Sequence, residues 1–401
     1  MSKTRNRRST IISWCVPCLG FLFGWTVLTS VYPSYGFGAR GTNDFIEFWS
    51  AYQLFEPNSN PYDPDELNIQ QRFLGRDQAT PLRLWNPPWA LTLLSPVLEF
   101  DFPLSAKLFF AGNMFLLFAS AILIWRLVDP APRIIPLVAL TMAFLPTLDC
   151  LNVGQISIVL LAALVAMLFC LERRLDIPAG FCAAILTIKV HLFFLLLLTL
   201  AWWIARNGRW RVAVGGIAGL ALLLSVTIIH SEAAIPQWVD SFQNPPFHWI
   251  VASLVGLVRQ IILALTGAWV AWPVVVVPTL ATWGVGLWLL TRRPHIDWRY
   301  HGPTLVGLSV IFSPYGWLFD QSVLLPLHIL PLAYIFGGRI PANRRIAFLL
   351  LIVIMQILAM SMYHLYESSN HHYVWLPPSL LGAWLLFWGS DRPAINDAVQ
   401  S

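Results

Sequence analysis

Two carboxylates stand one helical turn apart in the stretch GTNDFIEFWSAYQLF, residues 41–55, and they are the first groups in the chain placed to do chemistry. These are Asp44 and Glu47. The apolar residues Phe45, Phe48, Trp49, Tyr52 and Phe55 recur at helical spacing, while Asp44, Glu47 and Ala51 share the opposite face. The pattern D-x-x-E at a helix start is a capping box, in which Asp44 accepts from the backbone at the third helical position and Glu47 reaches back. It equally describes a general base, Asp44, supported by Glu47 and aimed into a cavity between membrane spans. The local pattern leaves both readings open, and a base that also caps a helix would satisfy both.

Further along, Lys189 and His191 lie in LTIKVHLFF, between two apolar segments. An ammonium placed in a span costs roughly 2.5 to 3.5 kcal/mol on insertion scales, so such a lysine either snorkels to the interface or meets a partner. The partner expected here is an anionic phosphate, for which the ammonium is a point charge. Asn152 and Gln155, in LNVGQIS, carry amides able to hydrogen-bond a sugar or a diphosphate-like group, though a simple helix start explains them as well. Tyr315 and Asp320, in SPYGWLFDQ, are candidate substrate contacts on a Pro-Gly-broken, aromatic-rich turn. His364, His371 and His372 fit no zinc-ligand spacing.

The elements that must position these groups are apolar. Of 401 residues 57% are hydrophobic and only 11% charged, with a mean hydropathy of +0.65; a soluble domain would carry about 25% charged residues. This identifies an all-α polytopic membrane protein. Apolar segments fall near 10–32, 104–128, 133–148, 151–171, 177–189, 190–206, 211–230, 268–291, 303–314, 322–338, 345–363 and 372–389, about twelve crossings, several of them short. The five cysteines all lie in or beside these segments and read as small buried hydrophobes, the Cys15–Cys18 pair included.

Threading the segments alternately from a cytosolic N-terminus puts 18 of the 25 basic residues on the cytosolic side, the bias that the positive-inside rule asks for. Nine acidic residues fall in the first extracytoplasmic loop, residues 33–103, where NPYDPDELN and WNPPW indicate short interfacial helices. A second extracytoplasmic loop spans 231–267 and ends in an amphipathic run holding Arg259 and Gln260. Asp44, Asn152, Gln155, Lys189, Tyr315 and Asp320 are all expected on this face, both termini are expected in the cytosol, and residues 1–401 form one membrane domain. The net charge of +5 follows this distribution and does not indicate a nucleic-acid partner.

In order, the Asp44–Phe45 pair after the first span, NPYD (Asn60 to Asp63), the PP element between Trp85 and Trp89, NxGQ (Asn152 to Gln155), the stretch from Ala179 closed by Lys189, and SPY followed by Asp320 resemble glycosyltransferase family eighty-seven. The resemblance runs from about residue 40 to 330. It implies a GT-C-fold membrane enzyme, related to polyprenyl-phosphate-mannose-dependent mannosyltransferases. It places Asp44 at the catalytic base and Lys189 near the donor phosphate.

The expected activity is therefore inverting transfer of a hexose, with mannose the sugar the resemblance points to, from a polyprenyl-phosphate donor to a lipid or glycan acceptor. It would take place on the outer face of a bacterial cell membrane. The phosphate is already a competent leaving group, so no cofactor is expected; nor is a metal, since Asp44 and Glu47 are the one close acidic pair at the proposed site. Two rivals remain at this stage: a transporter or flippase for lipid-linked sugars, which Pro- and Gly-interrupted spans would also suit, and a catalytically silent subunit of the same fold.

Overall fold

Between Asn43 and Phe102 the chain folds into three short helices, α1 (Phe45–Gln53), α2 (Pro64–Phe73) and α3 (Trp89–Leu98). The reason is most visible at α2, where Asp63 accepts from the backbone N–H of Asp65 (2.8 Å) and Glu66 (3.0 Å). Pro64 follows as the first helical residue, and acids in the first turn face Arg72 in the last. The interfacial helices expected in this loop are thus present. The computed structural model describes residues 43–243, 251–267, 296–336, 342–366 and 370–389, with isolated positions between them. The segments expected at 10–32 and 268–291, and with them the Cys15–Cys18 pair, fall largely outside these residues.

The bundle proper begins at α4 (Phe102–Arg126), started by Asp101, whose carboxylate accepts from Leu104 N at 3.1 Å. Its 25 residues rise about 37 Å, enough to cross a bilayer core. It is followed by α5 (Ile134–Met142) and α6 (Leu145–Val153), a pair bent by 64° at the break before Pro146, and by α7 (Ser157–Glu172).

The 32 residues from Asp176 to Asn207 have the length and hydropathy of a single span. They do not form one straight rod. Arg209 pairs with Asp176, Nε to Oδ2 2.8 Å, whereas a straight helix would hold its two ends about 48 Å apart. The chain must therefore fold back, and it does so at the 3-10 turn Thr187–Lys189, between α8 (Asp176–Leu186) and α9 (Val190–Asn207). This agrees with reading 177–189 and 190–206 as separate segments meeting at Lys189. The return leg, α10 (Trp210–His230), packs tightly on α8 because both helices carry glycine at the contact. A Cβ on Gly180 would stand 2.1 Å from Val212 O, and one on Gly215 would stand 2.1 Å from Ile177 O.

The rest of the chain adds α11 (Ala234–Ser241), α12 (Leu254–Thr266), α13 (Trp298–Ile311), α14 (Leu325–Phe336), α15 (Ala342–Tyr366) and α16 (Leu376–Gly389). A 3-10 stretch, Phe319–Leu324, leads into α14. Among the described residues there is no strand. Five helical stretches there are long and apolar enough to cross a membrane, or six if the bent pair is one span. α7 and α13, expected as crossings, have 16 and 14 residues and are largely buried among the other helices. In contrast α10 and α15 expose Ile217, Leu222, Ile229, Leu350, Ile354 and Ile357, a surface made for lipid rather than for water.

The helices alternate in direction, so the bundle has two chemically distinct ends. At one end lie the Arg209–Asp176 pair and Arg299 with Glu172 (3.5 Å). Arg126 and Arg173 are close enough there to repel each other. The opposite end gathers the start of α1, the end of α6, the start of α7, the α8–α9 turn and the stretch after α13. The candidate residues Asp44, Glu47, Asn152, Gln155, Lys189, His191, Tyr315 and Asp320 lie at that second end.

Candidate active site

At the start of α1 the capping box does not form. Asp44 is the N-cap residue but has helix-like angles (φ −99°, ψ −19°), and its side chain caps nothing. Instead its backbone N–H donates to Val153 O at 2.7 Å, which fastens the start of α1 to the end of α6. Gly154 then ends α6 in the left-handed region (φ 79°), where a Cβ would be strained, and turns Gln155 toward Asp44.

The amide of Gln155 serves both carboxylates. Its Nε2 donates to Asp44 Oδ2 at 3.0 Å and to Glu47 Oε1 at 3.1 Å, one N–H for each. Asp44 and Glu47 are half-buried, so they remain reachable while shielded. Burial raises the pKa of Asp44. It raises that of Glu47 well above the ordinary range, and the adjacent Asp44 charge adds to the shift. Of the two carboxyls, Glu47 is the one whose surroundings favour the protonated form more strongly.

Lys189 meets a partner within the protein. It is 6% exposed, so it does not snorkel, and its Nζ bonds Asp320 Oδ1 at 2.8 Å. The same ammonium lies 3.5 Å from Gln155 Oε1 and 3.5 Å from Ser157 Oγ, and it sits over the Phe319 ring at 5.1 Å. Asp320 is 0% exposed and engaged on both oxygens: Ser157 Oγ donates to Oδ1 at 2.7 Å and Trp317 N to Oδ2 at 3.2 Å. The result is a chain of contacts, Asp320 to Lys189 to Gln155 to Asp44 and Glu47. The buried ion pair fixes the amide that fixes the carboxylates. His191, one helical residue beyond the turn, is half-buried within electrostatic reach of Asp320 and Lys189 but outside this hydrogen-bond chain.

Two of the expected site residues belong to adjoining layers. Asn152 Nδ2 donates to Tyr363 Oη at 3.3 Å, and Tyr363 Oη donates to Asp149 Oδ1 at 3.0 Å, which ties α15 to α6 beneath Asp44. Tyr315 lies across the 313–321 turn, within electrostatic reach of Arg259 on α12. Sequence reasoning missed Ser157, Asp149 and Tyr363. Asp149 could have been found, because an acid inside an apolar helix marks a partner or a site; Ser157 and Tyr363 carry no comparable signal.

A line of aromatic residues borders the network on its Lys189 side. Trp89 Nε1 donates to Thr187 Oγ1 (3.2 Å) and its ring meets Trp238 at 5.3 Å; Trp238 Nε1 donates to Trp85 O (3.2 Å). The line continues through Trp85–Trp249 (5.6 Å), Trp249–Trp317 (5.0 Å) and Trp317–Phe319 (5.8 Å, nearly parallel). It begins two residues from Lys189 and ends beneath its ammonium. Among the described residues no group of three His, Cys, Asp or Glu side chains is arranged to hold a metal ion.

The family model described as Glycosyltransferase family 87 matches residues 85–314, more than half of the chain. The match takes in Gln155, Ser157 and Lys189, and leaves Asp44, Glu47 and Asp320 outside its bounds. No curated protein and no solved structure matches the chain. A bundle of long apolar helices with a half-buried carboxylate pair at one end is in keeping with that match, and the chain belongs to glycosyltransferase family eighty-seven.

Proposed function

We propose that this glycosyltransferase moves a hexose from a polyprenyl-phosphate donor to a hydroxyl of a lipid or glycan acceptor, with Asp44 as general base. Asp44 takes the proton of the acceptor hydroxyl as that oxygen bonds to the anomeric carbon. The bond from that carbon to the phosphate oxygen breaks in the same displacement, and the electron pair leaves with the polyprenyl phosphate. The anomeric configuration inverts. One observation carries the assignment: the half-buried Asp44 carboxylate is oriented by an amide that Lys189 in turn holds, which is how a base is kept in register with its substrate.

Glu47, protonated beside it, keeps the pair from carrying two charges in one recess. The end of the bundle that carries the site lies opposite the end rich in arginine, and this supports an extracytoplasmic site with cytosolic termini, in a bacterial cell membrane. Mannose is the sugar to which the family resemblance points.

The test is incubation of the purified protein in lipid with a panel of radiolabelled polyprenyl-phosphate sugars and a total lipid extract. A new labelled product from one donor supports the reading. Movement of intact donor between leaflets, with no product, would instead make the chain a flippase.

A further inference from the structure

Two hydrogen bonds place Asp44, and both come from the end of α6 or the turn just past it. Val153 O accepts from the Asp44 backbone, and the Gln155 amide holds the carboxylate. Where α6 sits therefore decides where the base sits. Yet α6 has only nine residues, separated from α5 by the 64° bend before it and from α7 by the left-handed Gly154. A helix so short takes its position from what it packs against rather than from its own backbone.

On the side of α15 that packing is polar. Tyr363 Oη donates to Asp149 Oδ1 at 3.0 Å and accepts from Asn152 Nδ2 at 3.3 Å. Asp149 and Asn152 are three residues apart and so neighbours on one face of α6. One hydroxyl thus uses its donor and its acceptor on a single turn of the helix, the turn just before Val153. Seven residues earlier on α15, about 10 Å along its axis, Gln356 Oε1 accepts from Leu145 N at 3.4 Å, at the other end of α6. The rest of α15 is largely apolar and exposes Ile354 and Ile357; polar side chains on such a helix hold their neighbours by hydrogen bonds.

Resting on the reading of Asp44 as general base, we infer that Tyr363 is a positioning residue for the transfer reaction: by bonding Asp149 and Asn152 together it fixes the last turn of α6, and through it Val153 O and Gln155, the two groups that aim Asp44. The hydroxyl is the part that acts. A phenyl ring would fill the same space but leave α6 able to turn or slide, and a misplacement of about 1 Å costs on the order of 10²-fold in rate. Asn152 belongs to the same device and acts on the base, not on the donor.

The experiment compares the full-length wild type with Tyr363→Phe, Asn152→Leu, Gln155→Leu and the double variant Tyr363→Phe with Gln155→Leu, in lipid, using the radiolabelled donor that gives product in the transfer assay above. Thermal unfolding is followed in parallel. Tyr363→Phe is expected to lose about 10- to 100-fold in kcat with the donor KM unchanged. Asn152→Leu removes one of the two bonds and should fall between it and the wild type. The double variant should lose less than the product of the two single losses, because a displaced α6 has already drawn the amide away from the carboxylates. Asp149 is 2% exposed, and Tyr363→Phe leaves it without that donor. If the variant fails to fold for this reason, adding Asp149→Leu removes the stranded group, and Asn152→Leu gives the same readout with the donor in place.

Unchanged kcat in a folded Tyr363→Phe protein overturns the inference; where that variant does not fold, unchanged kcat in Asn152→Leu overturns it. Losses that multiply in the double variant would make Tyr363 a support of the fold alone. A raised donor KM at unchanged kcat in Asn152→Leu would make that amide a donor contact. Either result overturns the inference, and all of these leave the transfer reading standing. A wild type that forms no product from any donor, or an Asp44→Asn protein with near wild-type turnover, overturns the reading on which the inference rests, and the inference with it.

Discussion

Gln155 and Asp44 are 111 residues apart in the chain and are joined by Gln155 Nε2 donating to Asp44 Oδ2 at 3.0 Å, while Asp44 N donates to the neighbouring Val153 O at 2.7 Å. The first bond aims the carboxylate, and the second holds the helix that carries it. Both depend on Gly154, which ends α6 in a conformation that brings a carbonyl and an amide to one face.

Gln155→Leu tests the aim. It keeps roughly the size of the side chain but removes both donated hydrogen bonds, leaving Asp44 and Glu47 without their shared donor. Turnover is expected to fall about 10- to 100-fold with little change in KM, since a lost hydrogen bond to a charged group is worth roughly 1.5–3 kcal/mol. Steady-state kinetics at saturating donor and acceptor decide it. A Gln155→Leu enzyme with unchanged kcat would remove the amide from the mechanism.

Lys189 and Asp320 call for a pair of variants. Lys189→Met alone leaves a carboxylate at 0% exposure without its cation and should cost about 3–5 kcal/mol, read as a large drop in unfolding temperature. Adding Asp320→Leu removes the stranded charge, and the double variant should regain most of the stability. Activity should not return with it, because Gln155 has lost the ammonium that holds its carbonyl oxygen. A double variant with recovered activity would show that the ion pair serves the fold alone.

Glu47 gives a pH dependence whose sign follows from its environment. Its folded-state pKa is raised by burial and by Asp44, so the native protein binds the proton more tightly than the unfolded chain does. Stability is then greatest at low pH and falls as pH rises from the unfolded value through the folded one. Glu47→Gln carries no proton to lose, so its stability should be flatter over that window and higher than wild type at its alkaline end. Unfolding temperatures across the pH range, compared between the two proteins, check the slope; parallel curves would count against a raised Glu47.

Much of this was readable from one sequence because membrane insertion makes ionisable residues conspicuous: Asp44, Lys189 and Asp320 stood out against apolar surroundings, and the alternation of segments placed them on one face. Their roles were less legible. Lys189 and Asp320 are 131 residues apart, and no local pattern reports that one neutralises the other. The D-x-x-E pattern at Asp44 was a sound local signal that a long-range partner outcompeted, since Gln155 offers both carboxylates a donor in a setting where leaving them unpaired is costly.

Asp44→Asn separates catalysis from architecture. No helix cap is lost, because the Asp44 side chain caps nothing, and the backbone bond to Val153 is unaffected by the substitution. The amide oxygen of asparagine can still accept from Gln155 Nε2, so the position of the side chain and the direction of α1 should survive. What asparagine cannot do is take a proton from the acceptor hydroxyl. Loss of a general base costs on the order of 10² to 10⁴ in rate. The variant should therefore insert, fold and bind donor like the wild type while its turnover falls by that factor. The acid limb of the wild-type pH–rate profile, set above the ordinary aspartate range by the burial of Asp44, should vanish from whatever activity remains. Glu47→Gln should keep that limb and more of the activity, because the residue it replaces already holds its proton. An Asp44→Asn protein with near wild-type turnover would leave Asp44 as the residue that joins α1 to α6 and would require the base to be sought elsewhere in the recess.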